Sequence, residues 1–477
     1  MPSRSNYEVH LSVVRYRPDQ LLMALVPAPR QTLIRQATLF LGSTIVLFLG
    51  FFQNQWAVVP NNEFAEFQHD SESLVLARLV ESRQNGLFSH NALLGWGDAD
   101  PAELTEDDYL HQYEVFLSGR GFQSYSLYKS ASGGQALLLS ALHDLSPYPP
   151  AIDLHIFRGF VALLLAVSVS LFIAWLGHEF GALTALVVTV TTLVSQWITL
   201  YGRNLFYFIW ASFLPLAVMA WYLTDATKRQ RVSDWALACL AFISLLFKCV
   251  MNGYDFIIPA LSMPLAPLAY YAVRDRWPIG LSFKRSAFLL VGMMAAVTVA
   301  IAILASQLQV SEGTPWGGLG RIFDTLGRRT YFADGTVLPD YASAVASTPL
   351  SAVLWTYLSQ DSAVALIDLR FLDLFGIFAG VTIAYWILDK VQPDRLPDRE
   401  KSRGLIAATW LALLSPVSWY VFFKGQAVVH THTNYLAWHM PFTLLGYAMM
   451  AWLLRCIGIA LLRNGARSGD SDRTPKR

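Results

Sequence analysis

The stretch IFRGFVALLLAVSVSLFIAWL, Ile156–Leu176, decides the fold. A helix that crosses the hydrocarbon core of a bilayer needs about 20 mostly apolar residues, and this run has that length with a single charge, Arg158. The whole chain shares its character. Of 477 residues, 54% are apolar and only 14% are charged, and the mean hydropathy is +0.40. These values belong to a polytopic membrane protein rather than a soluble domain. A net charge of +1 gives no footing for nucleic acid. The three cysteines, Cys239, Cys249 and Cys456, lie within or at the ends of apolar runs and have neither disulfide-framework nor zinc spacing.

Working outward, ten runs are expected to span: 37–59, 156–176, 180–198, 205–223, 234–251, 254–273, 286–307, 371–389, 404–423 and 435–461. Residues 346–358 are too short and fit a re-entrant or interfacial helix. With a cytoplasmic N-terminus, alternate loops hold 22 of the 35 Lys and Arg on the inner face, as the positive-inside rule requires. The expected organisation is a cytoplasmic segment 1–36 with its first apolar run retained as an anchor, a membrane domain 37–461, and a cytoplasmic tail 462–477. Residues 60–155 form a large, acidic first outer loop and 308–370 a second.

The outer side gathers the polar groups that stand out. In FAEFQHDSESLVLARLVESRQNG, 64–86, the residues Leu74, Val75, Leu79 and Val80 recur at helical spacing, which predicts an amphipathic helix on the membrane surface. Asp70 and Glu72 begin it. A partly desolvated carboxylate there suits a general base; the same two residues also fit an N-cap and a first-turn acid. Gly133-Gly134 breaks the chain beside Tyr125, Tyr128, Lys129 and Gln135, a group suited either to sugar hydroxyls or to anchoring at a lipid interface. Arg203 and Asn204 start the fourth expected span, where the arginine fits phosphate oxygens or snorkels. Lys248 lies within the end of an apolar run, followed by Asn252-Gly253-Tyr254-Asp255. It is a ligand group by default or half of a Lys248–Asp255 pair across the turn. In KGQAVVHTHTN, Lys424–Asn434, an extended chain would turn His430 and His432 to one side, with Lys424 and Asn434 in reach. That cluster suits a phosphate, whereas each histidine alone fits a packing role. His439 is expected to bond a neighbouring helix.

This layout resembles the GT-C superfamily of membrane glycosyltransferases. One span, then a large outer loop carrying "HDSES" at His69–Ser73, then closely packed spans reproduce the superfamily plan over roughly 37–273. The resemblance implies an all-α fold with surface helices on the first outer loop. It implies a sugar donor linked to polyprenyl phosphate or diphosphate and a glycolipid, polysaccharide or protein acceptor. Asp70 is the implied base, with Glu72 as understudy, and the later cations are donor-phosphate contacts. No WWDxG-type signature is present, which points to transfer of a single sugar. The expected location is a bacterial inner membrane with a periplasmic site. A divalent ion on Asp70 and Glu72 stays open as an alternative to direct base catalysis. Two other classes fit the outline: an O-antigen ligase or polymerase, kept open by the 308–370 loop, and a lipid-linked-sugar transporter, which needs polar groups deeper in the bilayer.

Overall fold

The computed structural model describes residues 29–67, 69–228, 231–331 and 339–471. Among the described residues, seven helices are long and apolar enough to cross a membrane: α1 (Ile34–Gln53), α2 (Pro150–Phe180), α3 (Asp234–Asn252), α4 (Ile279–Glu312), α5 (Phe371–Val391), α6 (Arg399–Phe422) and α7 (Phe442–Leu462). The chain is an all-α, multi-pass membrane protein. Among the described residues the only strands form two short antiparallel ribbons, β1 (Gly95–Gly97) with β2 (Tyr125–Leu127) and β3 (Ser362–Val364) with β4 (Leu369–Arg370).

Seven of the ten expected spans fall on these helices. The run 180–198 is divided into helices Ala182–Leu193 and Gln196–Tyr201, and 254–273 into Ile257–Ser262 and Leu265–Arg274. Pro264 stands at the second break, where its missing N–H and its ring interrupt helical hydrogen bonding. Each fragment is shorter than a crossing needs. The run 205–223 falls on the helix Trp210–Lys228, which carries Pro215 inside it. The short stretch 346–358 yields a ten-residue apolar helix, Leu350–Ser359. Residues 1–28 and 472–477 of the expected terminal segments, and the basic residues Arg4, Arg15, Arg17, Arg229, Arg473, Lys476 and Arg477, lie outside the described residues.

Helix α2 is the core of the bundle. Val161, Leu165, Val169, Phe172, Ile173 and Trp175 are buried along it. Helices α1 and Trp210–Lys228 pack on its flanks, α3 packs along α4, and α7 packs against α5 and α6. Close approach needs glycine at the joint to the 60–155 segment. A Cβ on Gly134 would meet the Val250 carbonyl of α3 at 2.4 Å, and Gly133 before it takes a φ of +70°.

The 60–155 segment departs from expectation. Its helix His69–Asn85 does not lie on a surface with one apolar face; every residue from Ser71 to Ser82 is buried. Helices Glu106–Ser118 and Gly134–Leu145 and strand β1 enclose it, so its polar residues must find partners inside. Arg78 donates from Nη1 to the Ser89 carbonyl and from Nη2 to the Leu87 carbonyl, both at 2.7 Å. Glu72 is 3% exposed. It accepts from the Tyr113 hydroxyl at 2.7 Å, from Arg158 Nε at 3.2 Å and Nη2, and from the Leu205 backbone N–H at 3.4 Å.

Burial alone would raise the Glu72 pKa, but Arg158, the Tyr113 hydroxyl and Arg203 outweigh it and hold the carboxyl below its ordinary value. The carboxylate therefore stabilises the fold fully above its unfolded pKa, and that contribution is lost as pH falls through the lowered one. Glu72→Gln should destabilise the protein by about 3–5 kcal/mol at pH 7, because Arg158 keeps its charge without a counter-charge. It should also flatten the loss of thermal stability below pH 4.5. Thermal unfolding in detergent from pH 7 to 3 measures both effects; equal midpoints for the two proteins at pH 7 would contradict this account.

Candidate active site

The buried helix His69–Asn85 has one open end. Asp70, its second residue, is exposed, so a carboxylate projects from the helix start while Glu72 one half-turn on is clamped. The charge of Asp70 acts on Tyr128, Tyr201, Tyr207, His430 and His432. Asp255 acts on Tyr128, Tyr201, Tyr207 and His430 as well. Side chains from five remote segments thus share one electrostatic neighbourhood.

The histidine pair arrives there by a different backbone from the extended one expected. Lys424–Val429 and Thr431–Asn434 are short helical turns, and His430 between them has φ −107° and ψ 55°. That kink replaces the divergence of a continuous helix, and the ring centroids come within 6.0 Å. Asn434 braces the turn from behind. Its Nδ2 donates to the His430 carbonyl at 2.7 Å and the Gln426 carbonyl at 3.1 Å, and its Oδ1 accepts from Trp419 Nε1 at 2.8 Å. Lys424 is buried and donates to the Val345 carbonyl at 2.7 Å. Burial, His432 and Arg329 lower the His430 pKa, while Asp255 and Asp70 oppose them. His432 is more exposed, and partial desolvation lowers its pKa too, again opposed by Asp70. Near pH 7 the pair is therefore predominantly neutral and offers hydrogen-bond donors rather than charge. His439 is satisfied elsewhere, by Ser195 Oγ at 3.1 Å and Thr443 Oγ1 at 2.7 Å.

The expected Lys248–Asp255 carboxylate pair does not form. Lys248 donates to the backbone carbonyls of Gly253 (2.9 Å) and Asp255 (2.5 Å), satisfying carbonyls of the turn that follows α3. The Asp255 carboxylate pairs instead with Arg329 at 2.7 Å. Arg329 is the functional candidate that the sequence reading missed. Its signal was the run of Arg321, Arg328 and Arg329 in a loop placed on the side poor in basic residues.

The remaining candidates divide. Asn204 is a turn former; its Oδ1 accepts from the N–H groups of Phe206 (2.9 Å) and Tyr207 (3.0 Å). Arg203 stacks 4.0 Å from the Phe64 ring centroid and donates to the Phe64 carbonyl at 2.9 Å; burial and the nearby Arg158 lower its pKa to about 10. Gln135 is buried, with Nε2 on the Phe206 carbonyl at 3.1 Å and Oε1 without a partner among the described residues. Tyr128 stands edge-on to Trp96 and Phe206. Tyr254, Lys129 and Arg329 line a cleft of about 150 Å³. Its walls are Val297, Ile301 and Leu304 of α4, Ile322 and Leu326 of the helix Pro315–Arg329, Ile257 and Phe423. The cleft is thus apolar along a spanning helix and carries two cations. The Tyr254 hydroxyl is buried there with no partner among the described residues. No group of three His, Cys, Asp or Glu among the described residues is arranged to hold a metal ion.

No family model matches the chain, no curated protein matches it, and no solved structure matches it.

The shared neighbourhood has a direct signature. Asp70 favours the protonated form of both imidazoles, so Asp70→Asn should lower the pKa of His430 and of His432 together. Imidazole NMR titration of histidine-labelled protein reads this; if both curves stay in place, Asp70 is not beside the pair.

Proposed function

We propose that this chain is a glycosyltransferase of the GT-C type that takes a sugar from a polyprenyl-phosphate-linked donor. In this reading the chain crosses a bacterial inner membrane ten times, the divided runs 180–198 and 254–273 crossing as broken helices packed against their neighbours, with both termini cytoplasmic and the site periplasmic. The observation that carries it is the pairing of two features through one residue. Arg329 lines the apolar cleft along α4, and it also acts on Tyr128 and His430 beside Asp70. A lipid chain in the cleft would present its phosphate to Arg329 and Lys129, with the neutral imidazoles donating hydrogen bonds. The sugar would then stand over Asp70.

The chemistry is a single displacement. The acceptor hydroxyl oxygen bonds to the anomeric carbon as the bond from that carbon to the phosphate oxygen breaks. The lipid phosphate leaves with the electron pair, its charge met by Lys129 and by hydrogen bonds from Arg329, which keeps its pairing with Asp255. The hydroxyl proton passes to Asp70. Asp70 is exposed and Glu72 fully engaged, which favours Asp70 as the base and leaves Glu72 to hold the helix. The acceptor is a glycolipid, polysaccharide or protein hydroxyl.

One observation also favours the ligase or polymerase reading: the 308–370 segment supplies Arg329 to the site. Substitutions in 308–370 set against substitutions in 60–155 separate the two, because each reading puts the decisive groups in a different segment. The main test is transfer of labelled sugar from polyprenyl monophosphate or diphosphate donors by protein in nanodiscs. Asp70→Asn should lower the rate at least about 100-fold without changing the unfolding midpoint. Transfer by this variant at the wild-type rate removes Asp70 from the mechanism, and loss of transfer on substitutions in 308–370 but not in 60–155 selects the second reading.

A further inference from the structure

Both cations of the cleft already hold a carboxylate. Arg329 holds Asp255, and Lys129 Nζ lies 2.8 Å from Glu312 Oε1. The two pairs differ in what it takes to open them. Asp255 is 9% exposed, and parting it from Arg329 would strand two charges away from water. Lys129 and Glu312 are 31% and 25% exposed, and an ion pair that open to solvent is weak.

The position of Glu312 is itself unfavourable. It is the last residue of α4, where the partial negative charge of the helix C-terminus disfavours an anion. Lys129 and the Ser311 hydroxyl, which donates to the same oxygen at 3.2 Å, hold it there. Gly313 follows with φ +75°, a backbone that gives the chain its turn. A second resting place is at hand. Arg321, one helix on, also acts on Glu312, and its Nε is buried with no hydrogen-bond partner among the described residues.

We propose that Glu312 is a built-in stand-in for a phosphate: its carboxylate occupies Lys129 until an anionic lipid headgroup displaces it toward Arg321. The proposal rests on the reading of the cleft as a lipid-phosphate site and adds a gate to it. A lipid phosphate brings more acceptor oxygens than a carboxylate, and the monoester released after transfer brings more charge as well, so the exchange runs toward phosphate. An uncharged lipid of the same chain length leaves the pair closed. Lys129 then discriminates phosphorylated from unphosphorylated isoprenoids, with Glu312 keeping the cation paired between ligands.

The test uses the full chain in nanodiscs with farnesyl phosphate as probe and farnesol as its neutral counterpart, read by equilibrium binding. Glu312→Gln should tighten farnesyl phosphate about three- to tenfold, because the competing anion is gone. Lys129→Gln should weaken it about tenfold, and Arg321→Gln about threefold, because the displaced carboxylate loses its second site. None of the three should alter farnesol binding. Unchanged or weaker farnesyl phosphate binding in Glu312→Gln overturns the gate while the cleft reading stands. Failure of wild type and all three variants to bind farnesyl phosphate overturns both.

Discussion

A carboxylate that leaves water must be matched by charge and hydrogen bonds, and Glu72 meets that demand by drawing four parts of the chain together. The helix His69–Asn85 supplies the acid, α2 supplies Arg158, the helix Glu106–Ser118 supplies Tyr113, and the turn before Trp210–Lys228 supplies the Leu205 N–H. The large 60–155 segment is thereby bolted to the central helix of the bundle. Asp70, two residues earlier, is left at the open end of a helix that cannot rotate or slide without breaking the clamp.

Charge in the candidate site is divided between fixed and labile pairs. Asp255 is buried against a half-buried Arg329, and the pair gives the hollow a permanent dipole. Lys129 and Glu312 sit where solvent reaches them. The imidazoles of His430 and His432 contribute no permanent charge near neutrality, since desolvation opposes their protonation. Under the proposed transferase chemistry, this leaves the hollow close to neutral before an anion arrives, and the cations that would meet a phosphate are held in place by acids rather than left uncompensated in a low-dielectric setting.

The long apolar helices were legible because twenty apolar residues have few alternatives to a spanning helix. Asp70 was legible as a helix-start acid and His430 and His432 as neighbours. The reading of Leu74, Val75, Leu79 and Val80 as one face of a surface helix failed for a physical reason. Periodicity reports the strongest apolar stripe of a helix, and it is silent on whether polar residues such as Glu72, Arg78 and Glu81 find buried partners on the other faces. Lys248 failed similarly: proximity in sequence suggested the Asp255 carboxylate, but the backbone carbonyls of Gly253 and Asp255 in the turn after α3 were closer claimants.

By itself, the amino-acid sequence determined that this protein is helical and lives in a membrane, and it marked which loops are rich in chemistry-bearing side chains. Composition and run length are local properties, and they set the solvent in which each segment is stable. The tertiary structure alone decided which charges are clamped, which are paired and which are open. Arg329 meets Asp255 across 74 residues, Lys129 meets Glu312 across 183 and Glu72 meets Arg158 across 86. Such partnerships follow from how helices pack and where loops return, and no spacing along the chain encodes them.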